Sequence, residues 1–325
     1  MRHLISFAFI LCLPIASLSA QVSLGPRTTI VPAGIDEAKR LLCRDDDFTQ
    51  RQSPFDRSAR LKTDQPVSEE KYFAFIGDQI SEWDAAQQDR LTAACKRVAE
   101  RISKWKLPMP EKILLIRTTG KEEGNAAYTR ANAIVLPPKI AGGRDEGLDR
   151  LLCHELFHVI SRHSPELREK LYKTIGFEKC DEIKLPEDLQ KRRLTNPDAP
   201  CNDHCIRVKV DGRPVWAVPI LYSESEQYDP KRGGEFFNYL VFKLMVIDRE
   251  EGSTKAVPHL VDGNPELVSP NQAEGFMEQI GRNTGYIIHP EEVLADNFAM
   301  LAMGNEKEAK SPELLAKIRE VLEAN

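Results

Sequence analysis

Residues 147–162 constrain the fold most strongly, because they predict a helix that is apolar on nearly every face. A helix of this kind lies in the interior of a protein. Its middle nevertheless carries His154, Glu155 and His158, and burying three such side chains costs free energy unless partners satisfy them. The chain must therefore fold around this helix and supply those partners.

The three polar residues form the pattern His154-Glu155-Leu156-Phe157-His158. At about 100° per residue, the two histidines lie roughly 40° apart on one face of the helix. Imidazoles so placed can bind one Zn²⁺ at about 2.0–2.1 Å, and Glu155 lies beside them as a general base. With 7 histidines and 50 acidic residues in 325 positions, chance gives roughly 0.02 such patterns. The pattern therefore predicts a site for one zinc ion.

A zinc site of this type needs a third protein ligand, and a helix predicted over residues 290–303 offers one. Glu292 and Asp296 are four residues apart and share a face of that helix. Glu292 is the predicted ligand, and Asp296 is predicted to accept the outer N–H of a ligand histidine. Glu291, about 100° round the helix, is expected in solvent. The alternative is that the acidic pair only complements the dipole of the helix N-terminus.

Together these motifs resemble the gluzincin group of zinc metallopeptidases, in which HExxH is followed by Glu-x-x-x-Asp on a later helix. The resemblance covers about residues 112–304 and implies a zincin-like fold that hydrolyses peptide bonds. It implies His154, His158 and Glu292 as metal ligands, Glu155 as the base and Asp296 as the residue that orients a histidine.

The resemblance also implies three further features. Ala133, Ile134, Val135 and Leu136 are similar to the strand along which an extended substrate lies. Tyr286 is the first choice for the donor that stabilises the tetrahedral oxyanion, with His289 and Tyr222 behind it. Glu178 is an alternative third ligand, since its separation from His158 resembles the thermolysin-like arrangement.

The N-terminus predicts export. A positive start, an apolar run broken at Pro14 and a small-residue end at Ala20 are typical of a signal peptide over residues 1–20. No later segment reaches spanning length without a charge, so no stable membrane insertion is expected after its removal. The predicted location is secreted or periplasmic. A net charge of −5 with no basic tail argues against a nucleic-acid partner.

Removal of Cys12 with the signal leaves six cysteines, an even number that fits disulfides in an exported chain. Their connectivity is not defined by sequence, although Cys43 and Cys95 are placed to join two predicted helices. A structural zinc site at Cys201, His204 and Cys205 is the alternative for that cluster.

The element order predicts an α+β fold with a small mixed sheet beside the buried helix. Residues 21–67 are expected to be a flexible lead-in with one short helix, and residues 68–110 a helical portion with one long helix. Residues 111–325 form the predicted catalytic domain, with a β-hairpin region inserted at about 180–270. Further elements are predicted over residues 204–210, 215–222, 236–248, 271–280 and 312–322.

These features predict an exported zinc metallopeptidase acting on a peptide or protein substrate. The sequence leaves two alternatives open. One is a non-catalytic binding or scaffold protein with a structural zinc, and the other is a zinc hydrolase acting on a non-peptide bond. The oligomeric state is not defined by the sequence.

Overall fold

The residues that a computed structural model describes, 21–142 and 144–324, contain ten α-helices, two six-stranded sheets and a two-stranded sheet of β12 (Leu260–Val261) and β13 (Asn264–Pro265). The α+β class predicted from the sequence is confirmed. The predicted signal peptide and Cys12 lie outside the described residues. Within the described residues, no helix combines the length and the apolar character needed to cross a membrane.

The buried helix predicted around the two histidines is present and packs against a second buried helix near the C-terminus. Phe157 of the first and Phe298 of the second have ring centroids 5.6 Å apart. The helices are α1 Ile35–Leu42, α2 Pro54–Arg60, α3 Glu69–Gln79, α4 Ala85–Ile102, α5 Asp145–His163, α6 Pro165–Thr174, α7 Glu187–Lys191, α8 Phe276–Ile280, α9 Pro290–Met303 and α10 Pro312–Glu323. The pair that carries the predicted site is thus α5 and α9.

The first sheet has three parallel central strands, and its order is β1-β2-β4-β6-β5, with β3 paired to the end of β4. Strand β5 is the edge and runs antiparallel to β6. The strands are β1 Val22–Ser23, β2 Thr29–Pro32, β3 Ile80–Ser81, β4 Lys112–Thr118, β5 Tyr128–Arg130 and β6 Ala133–Leu136. Residues of β4 alternate between two separate core clusters, so both faces of this sheet are covered.

The prediction that a substrate lies along the strand Ala133–Leu136 is wrong. As β6 it lies between β4 and β5, and all four of its residues are buried. Both of its backbone edges are engaged in the sheet, so no substrate can pair with it. The outer edge of this part of the sheet belongs to β5, whose three residues are also buried and whose Thr129 N–H donates to Asp198.

The single long helix predicted after residue 68 is also wrong, because the chain breaks into α3, β3 and α4. Ile80 keeps the apolar spacing of a helix, but its backbone pairs with Thr118 of β4. Asp84 then begins α4 with a capping box, in which it accepts from Gln87 N. Periodicity of side chains did not reveal this change of backbone pairing.

The second sheet is antiparallel, with order β11-β10-β9-β8-β7 and β14 paired to β10. Its predicted hairpin is confirmed, since Asp211 and Gly212 take φ of 49° and 76° in a two-residue turn. The strands are β7 Phe177–Lys179, β8 His204–Val210, β9 Arg213–Ser223, β10 Leu240–Arg249, β11 Ala256–Pro258, β12 Leu260–Val261, β13 Asn264–Pro265 and β14 Leu267–Val268.

The helix predicted over residues 271–280 is shorter than expected. Only Pro270–Gln272, as a 3₁₀ turn, and α8 are helical there. Glu274 instead exchanges two backbone hydrogen bonds of 2.9 Å with Lys209 of β8, and Gly275 follows with φ of 85°. This pairing delays the helix until Phe276.

Residues 21–67 contain more structure than the predicted lead-in with one short helix. Besides α1 they supply β1, β2 and α2, and α2 carries a buried ion cluster in which Arg60 pairs with Asp56 and Glu123. Arg60 Nη2 also donates to Thr195 O at 3.0 Å, while Thr195 N donates to Asp56 Oδ2 at 3.0 Å. The N-terminal region therefore holds the loop around Thr195 in place.

No disulfide joins the six cysteines of the described residues. Cys43 contacts one core cluster and Cys95 belongs to the other, on opposite faces of the first sheet. The sheet therefore separates the two thiols, and the suggested link between Cys43 and Cys95 is wrong. Disulfide formation by the remaining cysteines stays a prediction.

Replacement of Arg60 by Met removes the cation between two buried carboxylates. We expect the free energy of unfolding to fall by about 3–5 kcal/mol, because unpaired buried charges remain. Arg57→Met on the same helix is the control: its guanidinium is 4.0 Å from the half-exposed Glu69, and the loss should stay below about 1 kcal/mol. Urea denaturation measures both, and equal losses would contradict the assigned role of the Arg60 cluster.

Candidate metal centre

Helices α5 and α9 bring His154, His158 and Glu292 together. Glu292 Oε2 lies 3.2 Å from His154 Nε2 and 3.6 Å from His158 Nε2. Ligand atoms at about 2.0–2.1 Å from a tetrahedral metal are about 3.3 Å apart, which these two distances match. His158 Nε2 is buried and lacks a hydrogen-bond partner among the described residues. An orphaned buried nitrogen in this donor set fits Zn²⁺.

The outer nitrogens of both histidines are held by carboxylates of α9. His154 Nδ1 lies 3.2 Å from Asp296 Oδ1, and His158 Nδ1 lies 3.1 Å from Glu291 Oε1. Such contacts fix the tautomer and direct each Nε2 toward the shared centre. Asp296, predicted for this position, is where the sequence analysis placed it.

Glu291 was expected in solvent, and the structure corrects this. It is buried beside α5 and α6, where it accepts from Ser161 Oγ at 2.8 Å and Tyr172 OH at 2.6 Å. Helix α9 is covered on almost all sides. A rotation of about 100° from Glu292 therefore leads to another buried interface rather than to water.

The charges of the site favour a cation. Although burial opposes it, the hydrogen bonds to Asp296 and Glu292 raise the pKa of His154 to about 10. Burial likewise opposes the shift at Glu292, but the two histidines hold the pKa of its carboxyl well below the usual range. The imidazoles would thus carry protons to balance the carboxylates when no metal is bound. One divalent ion can supply the same positive charge.

Glu155 lies beside this donor set on α5. It is 2% exposed, and Thr129 Oγ1 of β5 donates to its Oε2 at 2.9 Å. Burial raises the pKa of the Glu155 carboxyl. A carboxyl that is buried, oriented and adjacent to a metal site has the attributes of a general base or acid.

Two residues of the site, Asn196 and Asp198, were missed by sequence reasoning. Asn196 Nδ2 donates to Glu292 Oε1 at 2.5 Å, and Asp198 Oδ1 accepts from Thr129 N at 2.6 Å. Donor atoms of Asp198, Glu155 and His158 lie within 4.8 Å of one another. No spacing in the sequence links these residues to α5, because their contact depends on tertiary folding.

The predicted oxyanion donors occupy different surroundings. Tyr286 lies in the loop before α9 and is 41% exposed. Partial burial, together with the carboxylates of Glu292 and Asp198, raises the pKa of its phenol. His289 caps α9 by accepting from Glu291 N at 3.1 Å, and burial lowers its pKa to about 4. Tyr222 lies on β9 with Arg192 over its ring, 5.5 Å from the centroid.

The alternative ligands are not brought to the centre. Glu178 lies half-exposed on β7, where Arg249 Nη2 donates to its Oε2 at 3.2 Å. His204 binds Asp203 and Glu169. Neither of the two groups with metal-binding geometry in the described chain contains Glu178, Cys201, His204 or Cys205. The geometry therefore favours Glu292 as the third ligand.

No family model, no curated protein and no solved structure matches this chain.

The choice between the two candidate third ligands is testable. Glu292→Ala should lose most of the bound zinc after dialysis, because one of three ligand atoms is removed. Glu178→Ala should retain about one zinc per chain. Metal content by elemental analysis decides this, and the reverse result would move the site to Glu178.

The contact between Glu291 and His158 yields a second prediction. Glu291→Gln should weaken zinc affinity by about 10–100-fold, as expected when the carboxylate that orients a ligand histidine is lost. Competition with a chromophoric chelator measures the affinity, and Glu178→Gln serves as the control. An unchanged affinity would show that Glu291 does not orient His158.

Proposed function

We propose that this protein is a zinc-dependent metallopeptidase of the gluzincin type, with a zincin-like catalytic fold. The observation that carries the proposal is the joint geometry of α5 and α9. His154, His158 and Glu292 converge as a donor set, while Asp296 and Glu291 hold the outer nitrogens. This arrangement supports the resemblance, because it brings the HExxH residues of α5 and the Glu-x-x-x-Asp residues of α9 into one site.

His154, His158 and Glu292 would hold the metal. A bound Zn²⁺ supplies a Lewis acid for the substrate carbonyl and lowers the pKa of a water molecule. Glu155 takes the proton of the attacking water and returns it to the leaving amine. The Thr129 hydroxyl keeps the Glu155 carboxylate oriented through its bond to Oε2.

The substrate would be an extended peptide or protein segment at the outer edge of β5. Thr129 N of this strand donates to Asp198 rather than to β6, so a peptide that paired with β5 would take the place of the Asp198 carboxylate at this N–H. Tyr286 is the proposed donor to the oxyanion, since the same carboxylates that surround the centre affect its phenol. Export by the signal peptide, to the periplasm or outside the cell, belongs to the proposal.

A second candidate is a non-catalytic protein with a structural zinc. Asp198 favours it, because its carboxylate lies close to His158 and Glu155 and offers a further protein oxygen to a metal. A structural site has all its positions filled by protein, whereas a catalytic site keeps one open. Hydrolysis therefore discriminates between the two candidates.

The test is Glu155→Gln, which keeps the shape of the side chain but removes its basicity. We expect an unchanged zinc content and a loss of peptide hydrolysis by about 10²–10⁴-fold, the contribution typical of a general base. Cleavage of a mixed peptide library by mass spectrometry measures the rate, with Glu178→Gln as the control. A fully active Glu155→Gln protein would refute the mechanism, and an inactive zinc-loaded wild type would favour the structural site.

A further inference from the structure

A small cavity lies between the edge strand β5 and the antiparallel sheet. Its volume is about 40 Å³, and its walls include Ala126, Tyr128, Leu221 and Phe237. Most of the lining is apolar, and the lining acid Glu123 is already paired with Arg60. The cavity therefore favours an uncharged, apolar occupant.

The cavity adjoins the candidate metal centre. Asp198 and Tyr286 line it as well, and Asp198 is the residue whose carboxylate lies near His158 and Glu155. Tyr128 in its wall directly precedes Thr129, the residue that binds Glu155. A peptide bound at this centre would therefore place a side chain near the opening of the cavity.

Two aromatic rings at the cavity remain in contact with solvent. Phe237 is 45% exposed and Tyr286 is 41% exposed. The Phe237 ring is held against Gly124, where an added Cβ would lie 3.0 Å from Phe237 Cε2. Exposed apolar side chains grouped around one opening are typical of a binding site rather than of ordinary surface.

The volume limits what the cavity can hold. A water molecule needs about 10–15 Å³ and a benzene-sized ligand about 150 Å³ on comparable measures. At about 40 Å³ the cavity is too small for an aromatic ring and large enough for one to three carbons. We propose that it binds a small aliphatic side chain, alanine or valine, of the peptide substrate beside the scissile bond. This inference rests on the proposed peptidase function.

Binding can be measured apart from hydrolysis by using the full-length, zinc-loaded Glu155→Gln protein. The probes are acetyl-Gly-Gly-Xaa-Gly-Gly-amide peptides with glycine, alanine, valine or phenylalanine at Xaa. Ligand-observed NMR gives their dissociation constants. We expect valine to bind about 10-fold more tightly than either glycine or phenylalanine, as a well-fitted pocket discriminates.

Two variants in the same Glu155→Gln background change the pocket in opposite directions. Phe237→Ala removes an exposed wall and should raise affinity for the phenylalanine peptide about 10-fold. Ala126→Leu fills the cavity and should abolish the preference for valine. Val257→Ala alters an apolar residue that is 59% exposed on β11, and it should leave all affinities unchanged.

The outcomes separate this inference from the proposed function. Equal binding of all peptides, or selectivity that neither pocket variant alters, would overturn the pocket. The expected selectivity supports the pocket even where wild-type protein cleaves none of the peptides, and that lack of cleavage would count against the proposed hydrolysis alone.

Discussion

The packing of α5 against α9 sets the central constraint, because it buries carboxylates and imidazoles together. Glu292 lies at both histidines, the partly buried Asp296 at His154, and Glu291 and Glu155 at His158. Buried acids in such number need compensating positive charge, from protons on the imidazoles or from a metal ion. The remainder of the fold either covers this group or positions further contacts to it.

The cover comes from parts of the chain that are far apart in sequence. Arg60 and Asp56 of α2 hold the backbone of Thr195, and the next residue, Asn196, donates to Glu292. Arg162 adds bonds to the carbonyls of Pro197 and Asp198. A buried ion cluster in the N-terminal region is thus connected to the candidate metal centre through a few hydrogen bonds. Removal of one charged residue from this cluster would leave the remaining buried charges unpaired, which lowers the stability of the fold.

Sequence alone located the elements whose patterns are local. The apolar face and the four-residue spacing of Glu292 and Asp296 placed α9 correctly, since both depend only on helix geometry. The contacts of Glu291 and Asp198 with the site were not predicted, because the burial and contacts of both residues arise from tertiary packing. The sequence prediction placed the cleft-rimming strand at β6 rather than at β5. Four consecutive apolar residues in β6 instead indicate an interior strand that is buried on both faces. The shorter Tyr-Thr-Arg of β5 has the mixed character of an edge.

Thr129 connects Glu155 to the turn that contains Asp198, and it does so through two different groups. Its hydroxyl donates to Glu155 Oε2, and its backbone N–H donates to Asp198 Oδ1. A peptide that paired with β5 would compete with Asp198 for that N–H. Since Asn196 of the same turn binds Glu292, displacement of Asp198 would also disturb a contact to the third ligand. Under the proposed function, occupancy of the edge strand and the arrangement of the metal ligands are therefore coupled through one short turn.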